Sequence, residues 1–194
     1  MNPWVAKVMI LAGSIALVVI PHRLHGKPGR AHKAVRSRKG PLEIVLLALV
    51  TIGLLLPLLW VATPALAFAD YPLHPAAFAA GAACLAVGLW LLHRSHADLG
   101  TNWSITLELW GDHQLVTRGV YHRVRHPMYG ALLIYGVGQA LVLPNWLAGP
   151  SYGVAVAVLL AFRISPEERM LLDEFGVAYE SYRARTYRLV PGVW

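Results

Sequence analysis

The sequence predicts an all-α integral membrane protein with about five transmembrane helices, its polar segments gathered on one side of the bilayer. Three observations carry this. Of 194 residues, 57% are hydrophobic and only 14% charged, against about 25% charged in an ordinary soluble domain. Five apolar stretches approach the roughly 20 residues a helix needs to cross the hydrocarbon layer. Lysine and arginine are unevenly shared among the connections, so the formal charge of +7 reads as membrane topology and not as attraction to nucleic acid.

The stretches are Trp4–Ile20, Leu42–Phe68, Pro75–Leu92, Tyr129–Leu147 and Ser151–Phe162. The first is followed by no small-x-small cleavage signal, so it is expected to be an uncleaved anchor. Pro57 and Pro64 are expected to kink the second or to split it into a helix and an exit turn. Small residues at four-residue spacing in the third, Ala80, Cys84 and Gly88, predict a close helix contact. The single cysteine, Cys84, rules out an intrachain disulfide. One domain is expected, with residues 1–92 forming three N-terminal spans and 93–194 a second part with the span-four/span-five hairpin and a C-terminal helix.

Orientation follows from the cations. The first connection holds Arg23, Lys27, Arg30, Lys33, Arg36, Arg38 and Lys39 without an acid, while "ADYPLHP" after span two holds neither Lys nor Arg. The first loop is therefore expected in the cytoplasm, where its basic residues also meet anionic headgroups. Arg94, Arg118, Arg123 and Arg125, and later Arg163, Arg169, Arg183, Arg185 and Arg188, fall on the same side, which leaves Lys7 for the other. The C-terminus is cytoplasmic on this reading. "PNWLAGPS" joins spans four and five without a charge and closes the hairpin at the far side. His22, His25 and His32 have no partner spacing and receive no role; His93 and His96, near one turn apart, are more readily interfacial residues than metal ligands.

Two polar segments carry more information. "HADLGTNWSITLELWGDHQLVTRGVYHRVRHPMYG" has turn signals at "DLGTN" and "WGDH" and short apolar alternation in "SITLEL" and "QLVTRGVY". A connection of this length in so small a chain is uncommon unless it is functional. In "RISPEERMLLDEFGVAYESYRARTYRLVPGVW", Ser165, Pro166 and Glu168 read as an N-cap, a first helical residue and a capping-box partner, predicting a helix start. Leu171, Phe175, Tyr179 and Tyr182 form an apolar stripe along that helix, suited to docking on the bundle or lying at the interface. Glu167 has no such capping duty, and Arg163 stands four residues before it. The pair reads either as a salt bridge at a helix junction or as a functional cation and anion at the membrane surface.

The residues "DLGTNWS", "HQLVTRGVY", "RHPMYG" and "RISPEE" followed by "FGVAYESYRARTYRLVP", in this order between Asp98 and Pro191, resemble the isoprenylcysteine carboxyl methyltransferase family, together with the wider group that contains phospholipid methyltransferases. The resemblance implies an intramembrane enzyme that takes S-adenosyl-L-methionine from the cytoplasm, with the loop and C-terminal helix forming the cofactor site. By motif position, His113, Gln114, Leu115 and Val116 would hold the cofactor, with Tyr121 beside them. His126, Pro127, Met128 and Tyr129 would wall its sulfonium and methionine portion, Glu167 would meet its polar end, and Arg163 would face the acceptor.

These residue types suit the ligand. A sulfonium is attracted by aromatic faces such as Tyr121 and Tyr129, an ammonium by Glu167, and a carboxylate by Arg125 or His126. A carboxylate acceptor needs no general base, and Arg163 would grip it in bidentate fashion; an amine or thiol would have to lose a proton to Glu167 or a histidine. The acceptor is expected to be a lipophilic small molecule or lipid-modified compound, an isoprenylcysteine-like carboxylate first, with lipid amine or thiol methylation second and the prokaryotic plasma membrane as the setting. A transporter is disfavoured because the spans between Leu42 and Phe162 hold no ionisable residue beyond Glu43 near one boundary and the histidine edge of span three. A lipid-binding scaffold would not require the "HQLV", "RHPMY" and "EE" set.

Overall fold

A computed structural model describes residues 3–24, 34–37, 40–100, 108–110 and 114–192, with 34–37 and 108–110 as backbone. The chain is an all-α, multi-pass membrane protein of six helices among the described residues: α1 (Pro3–Leu24), α2 (Pro41–Ala62), α3 (Pro75–Leu99), α4 (Pro127–Val142), α5 (Ala148–Phe175) and α6 (Val177–Ala184). Of these, α1, α2, α3 and α5 are long and apolar enough to cross a bilayer. The fourth expected span is the shorter α4, whose 16 residues extend about 24 Å. A short antiparallel ladder pairs β1 (Ala34–Ser37) with β2 (Glu108–Trp110), tying the basic first loop to the polar segment between α3 and α4. The alternation in "SITLEL" thus yields a strand at its end, whereas "QLVTRGVY" runs irregularly into a single 3-10 turn at Gly119–His122.

The most extensive helix pair is α3 with α4. Its small-residue seam is Gly81 and Gly88 flanking Leu85, and the expected Ala80 is exposed while Cys84 is half-buried. Gly88 does meet α4: an added Cβ would lie 2.9 Å from the Tyr135 backbone nitrogen. Helix α2 ends at Ala62, with Pro57 inside it and Pro64 in the exit turn. That turn is locked to the hairpin by Asn145, fully buried, which donates to the Leu66 carbonyl and to Asp70 Oδ1 at 2.7 Å each and accepts from the Ala148 backbone N–H at 2.8 Å. Trp60 Nε1 also donates to Asp70 Oδ1 at 2.7 Å.

The expected helix start at Ser165 is absent. Helix α5 runs uninterrupted from Ala148 through Pro166 to Phe175. Proline forfeits one backbone bond, but Leu160, Arg163, Ile164 and Glu168 are buried on one face of this helix. That face stays continuous only if the helix does, and its burial outweighs the local signal. Ser165 is exposed, and Glu168 serves an ion network instead of a cap. The stripe expected on one helix is divided by Gly176, at φ +49°, which ends α5 and begins α6.

Candidate active site

Because α5 is continuous, Arg163 and Glu167 project from successive turns of one face, with Arg163 Nε 3.9 Å from Glu167 Oε2. Facing them at the start of α4, Tyr129 donates its hydroxyl to Glu167 Oε2 at 2.5 Å. His126, buried just before that helix, stacks on Tyr129 with ring centroids 5.4 Å apart and places Nδ1 3.9 Å from Glu167 Oε1. These groups border a cavity of about 390 Å³, within the range of small-molecule sites. The polar side chains His126, Tyr129, Arg163 and Glu167 border it together, and Gln114 and Arg125 are also among its lining residues. The rest of the lining is mostly apolar and includes Leu17, Val18, Leu47, Val50 and Leu54 from α1 and α2.

Of the residues expected here from sequence, Gln114, Leu115, Val116, Tyr121, His126, Met128, Tyr129, Arg163 and Glu167 border this one cavity. Pro127 does not: it is buried at the first position of α4, where its fixed φ and missing N–H suit a helix start. His113 lies outside the described residues. Leu171, Phe175, Tyr179 and Tyr182, read as a docking stripe, all turn towards the cavity. His93 is exposed while His96 is buried and borders the cavity, so the two do not act as a pair. The contributions of α1 and α2 had no motif to announce them.

What holds the polar wall is a carboxylate. Glu168, 5% exposed, accepts from Arg125 Nε at 2.9 Å on Oε1 and from Arg188 Nη2 at 2.8 Å on Oε2, with His126 Nε2 3.4 Å from Oε1. Arg125 Nη1 further donates to the carbonyls of Arg183 (3.2 Å) and Thr186. The candidate anchor Arg125 is therefore engaged with Glu168 and the C-terminal backbone. Residues 123–126 pair with 187–188 as parallel backbone: Arg125 N–H donates to the Tyr187 carbonyl at 2.8 Å and His126 N–H to that of Arg188 at 2.9 Å. Tyr182 closes this layer by donating to the Tyr121 carbonyl at 2.7 Å. Burial pushes its pKa up to about 12, and raises those of Tyr121, where Glu167 adds to the effect, and Tyr179. All three stay protonated at neutral pH.

The approach to Tyr121 depends on one glycine. Gly119 has φ +61°, and an added Cβ would collide with the Asp98 carboxylate, which accepts from the Val120 N–H at 2.9 Å. Gly119→Ala is expected to cost about 1–2 kcal/mol for the left-handed backbone alone and more for a displaced Asp98, read as a lowered thermal midpoint in detergent. An unchanged midpoint would show that the turn relaxes freely.

Residues 81–173 match the model of the isoprenylcysteine carboxyl methyltransferase (ICMT) family. The protein-S-isoprenylcysteine O-methyltransferase of Dictyostelium discoideum is 30% identical over 115 residues, 58% of this chain and 48% of the relative. Protein-S-isoprenylcysteine O-methyltransferase B of Arabidopsis thaliana is 41% identical over 81 residues, 42% of this chain and 41% of the relative. The human protein-S-isoprenylcysteine O-methyltransferase is 37% identical over 79 residues, 41% of this chain and 28% of the relative. The matches thus span less than half the length of these curated relatives. A solved structure of the eukaryotic intramembrane Ras methyltransferase ICMT superposes with a TM-score of 0.61 at 23% identity, covering 97% of this chain and 68% of that one, a likeness of fold. Tyr129, Arg163 and Glu167 all fall inside residues 81–173, the stretch through which the chain is similar to the isoprenylcysteine carboxyl methyltransferase family.

Proposed function

We propose that the protein is an S-adenosylmethionine-dependent methyltransferase acting on a lipophilic carboxylate, an isoprenylcysteine-like compound first among them. One observation carries the reading: an acid, two aromatic rings and an arginine meet in the wall of a cavity whose lining is otherwise mostly apolar. That donor set fits the cofactor. Glu167 suits its ammonium, the rings of Tyr129 and Tyr121 suit its sulfonium, and the backbone of 114–116 suits its adenine edge. With Arg125 engaged by Glu168, His126 is the group left for its carboxylate.

When bound, the cofactor supplies an electrophilic methyl group for in-line displacement. Arg163 orients the acceptor carboxylate, which is already ionised and requires no base. The apolar walls from α1 and α2 receive the lipid chain and exclude water. An amine or thiol acceptor, which must lose a proton, is less well served, because Glu167 already accepts the Tyr129 hydroxyl and stands beside Arg163. The arginine-rich end that carries the site is assigned to the cytoplasm, and Lys7, which donates to the Val61 carbonyl at 3.2 Å, to the opposite face.

The test is calorimetry of S-adenosylmethionine binding to purified protein in detergent, followed by transfer of a labelled methyl group to N-acetyl-S-farnesylcysteine. Binding with transfer is the expected result. Absence of binding by folded protein would overturn the reading, and binding with transfer only to an amine or thiol would replace the acceptor class.

A further inference from the structure

Arg163 is 8% exposed on a helix that crosses the membrane, and a guanidinium in that position needs a counter-charge. Glu167 is one. The second comes from another helix: Glu43, in the first turn of α2 and also 8% exposed, brings Oε1 to 3.6 Å from Arg163 Nη1. The two acids approach different edges of the guanidinium, Glu167 at Nε and Glu43 at Nη1. Glu43 lies before the stretch that matches the family.

Its place on α2 bears on the acceptor. Leu47, Val50 and Leu54 follow Glu43 at four, seven and eleven residues, the spacing of a single helix face, and these three border the cavity. Glu43 therefore stands at the head of the apolar wall, behind Arg163, where the head of an acceptor lying along that wall would come. From this juxtaposition we infer that Glu43 is a positioning residue that holds Arg163 and balances its charge, setting how strongly the site distinguishes a carboxylate acceptor from its neutral ester. This rests on the acceptor role proposed for Arg163.

The physical argument concerns charge in a low-dielectric setting. With Glu43 in place, the arginine is already neutralised before the acceptor arrives, so an incoming carboxylate gains less and an ester loses less. The product of carboxyl methylation is that ester, and moderate discrimination is compatible with turnover in both directions of binding. Without the Glu43 charge, Arg163 would favour the acid more strongly.

The experiment uses the 194-residue chain in nanodiscs without cofactor and measures the Kd of N-acetyl-S-farnesylcysteine and of its methyl ester. For Glu43→Gln the ratio of ester Kd to acid Kd is expected to rise at least fivefold, through tighter binding of the acid. For Glu43→Asp, which keeps the charge but withdraws the oxygens, about a twofold rise is expected, and this variant decides the matter if Glu43→Gln does not fold. A ratio that is unchanged or lower in folded variants would overturn the inference, since a merely structural ion pair would alter the thermal midpoint without altering acid against ester. Failure of wild type to bind either amphiphile would also overturn it. S-adenosylmethionine binding, measured separately, reports on the methyltransferase reading alone.

Discussion

Replacing Glu168 with alanine is expected to cost about 3 kcal/mol of stability, near the lower end for a buried ion network that loses one member. The estimate is held low because the Arg188 side chain is 32% exposed and regains water, whereas Arg125, at 8%, does not. What decides the effect is connectivity. Glu168 stands on α5, yet its partners lie on the segment before α4 and on the C-terminal segment, and those two pair with each other through the backbone of 123–126 and 187–188. Loss of the carboxylate leaves Arg125 buried among carbonyls without its anion, and the layer carrying His126 and Tyr182 should loosen together. Hydrogen exchange should rise in 119–126 and 185–190 and stay unchanged in the α3–α4 seam. Exchange rising uniformly, or nowhere, would show that the network does not act as this local clasp.

Glu168 also shows where sequence reading stops. Ser165, Pro166 and Glu168 satisfy every local rule for a helix start, and the local rule lost to a buried face that needs the helix to continue. No window of a few residues contains the information that Glu168 faces Arg188, twenty positions later. By contrast, the spans and the grouping of Tyr129, Arg163 and Glu167 were legible, because hydropathy and ordered motifs report on them directly. The stripe Leu171, Phe175, Tyr179 and Tyr182 was found, but its destination was not: apolar periodicity marks a buried face without saying whether helix or ligand covers it. Glu43 was visible as an isolated acid at a span boundary, and its partner became apparent only once α2 was laid against α5.

Glu167→Gln, the second large effect, should act on ligand binding and leave stability nearly intact. Unlike Glu168, Glu167 is half-buried and borders the cavity, and Arg163 keeps Glu43 as a counter-charge at 3.6 Å. Loss of a desolvated charge pair with the cofactor ammonium should weaken S-adenosylmethionine about 100-fold, ~2.7 kcal/mol, as read by calorimetry with little change in thermal midpoint. The ammonium is common to S-adenosylmethionine and its demethylated product, while the sulfonium is not. If Glu167 acts on the ammonium, both ligands should weaken by the same factor to within about threefold. A loss confined to S-adenosylmethionine would instead place the Glu167 charge at the sulfonium and reassign the ammonium to another group. Tyr129→Leu supplies the complementary case: removing the ring face should penalise the charged sulfonium more than the neutral thioether. An equal loss of both ligands in Glu167→Gln, beside a loss concentrated on S-adenosylmethionine in Tyr129→Leu, would establish that the acid and the ring serve separate ends of one ligand, which is what the 2.5 Å hydrogen bond between Tyr129 and Glu167 is placed to align.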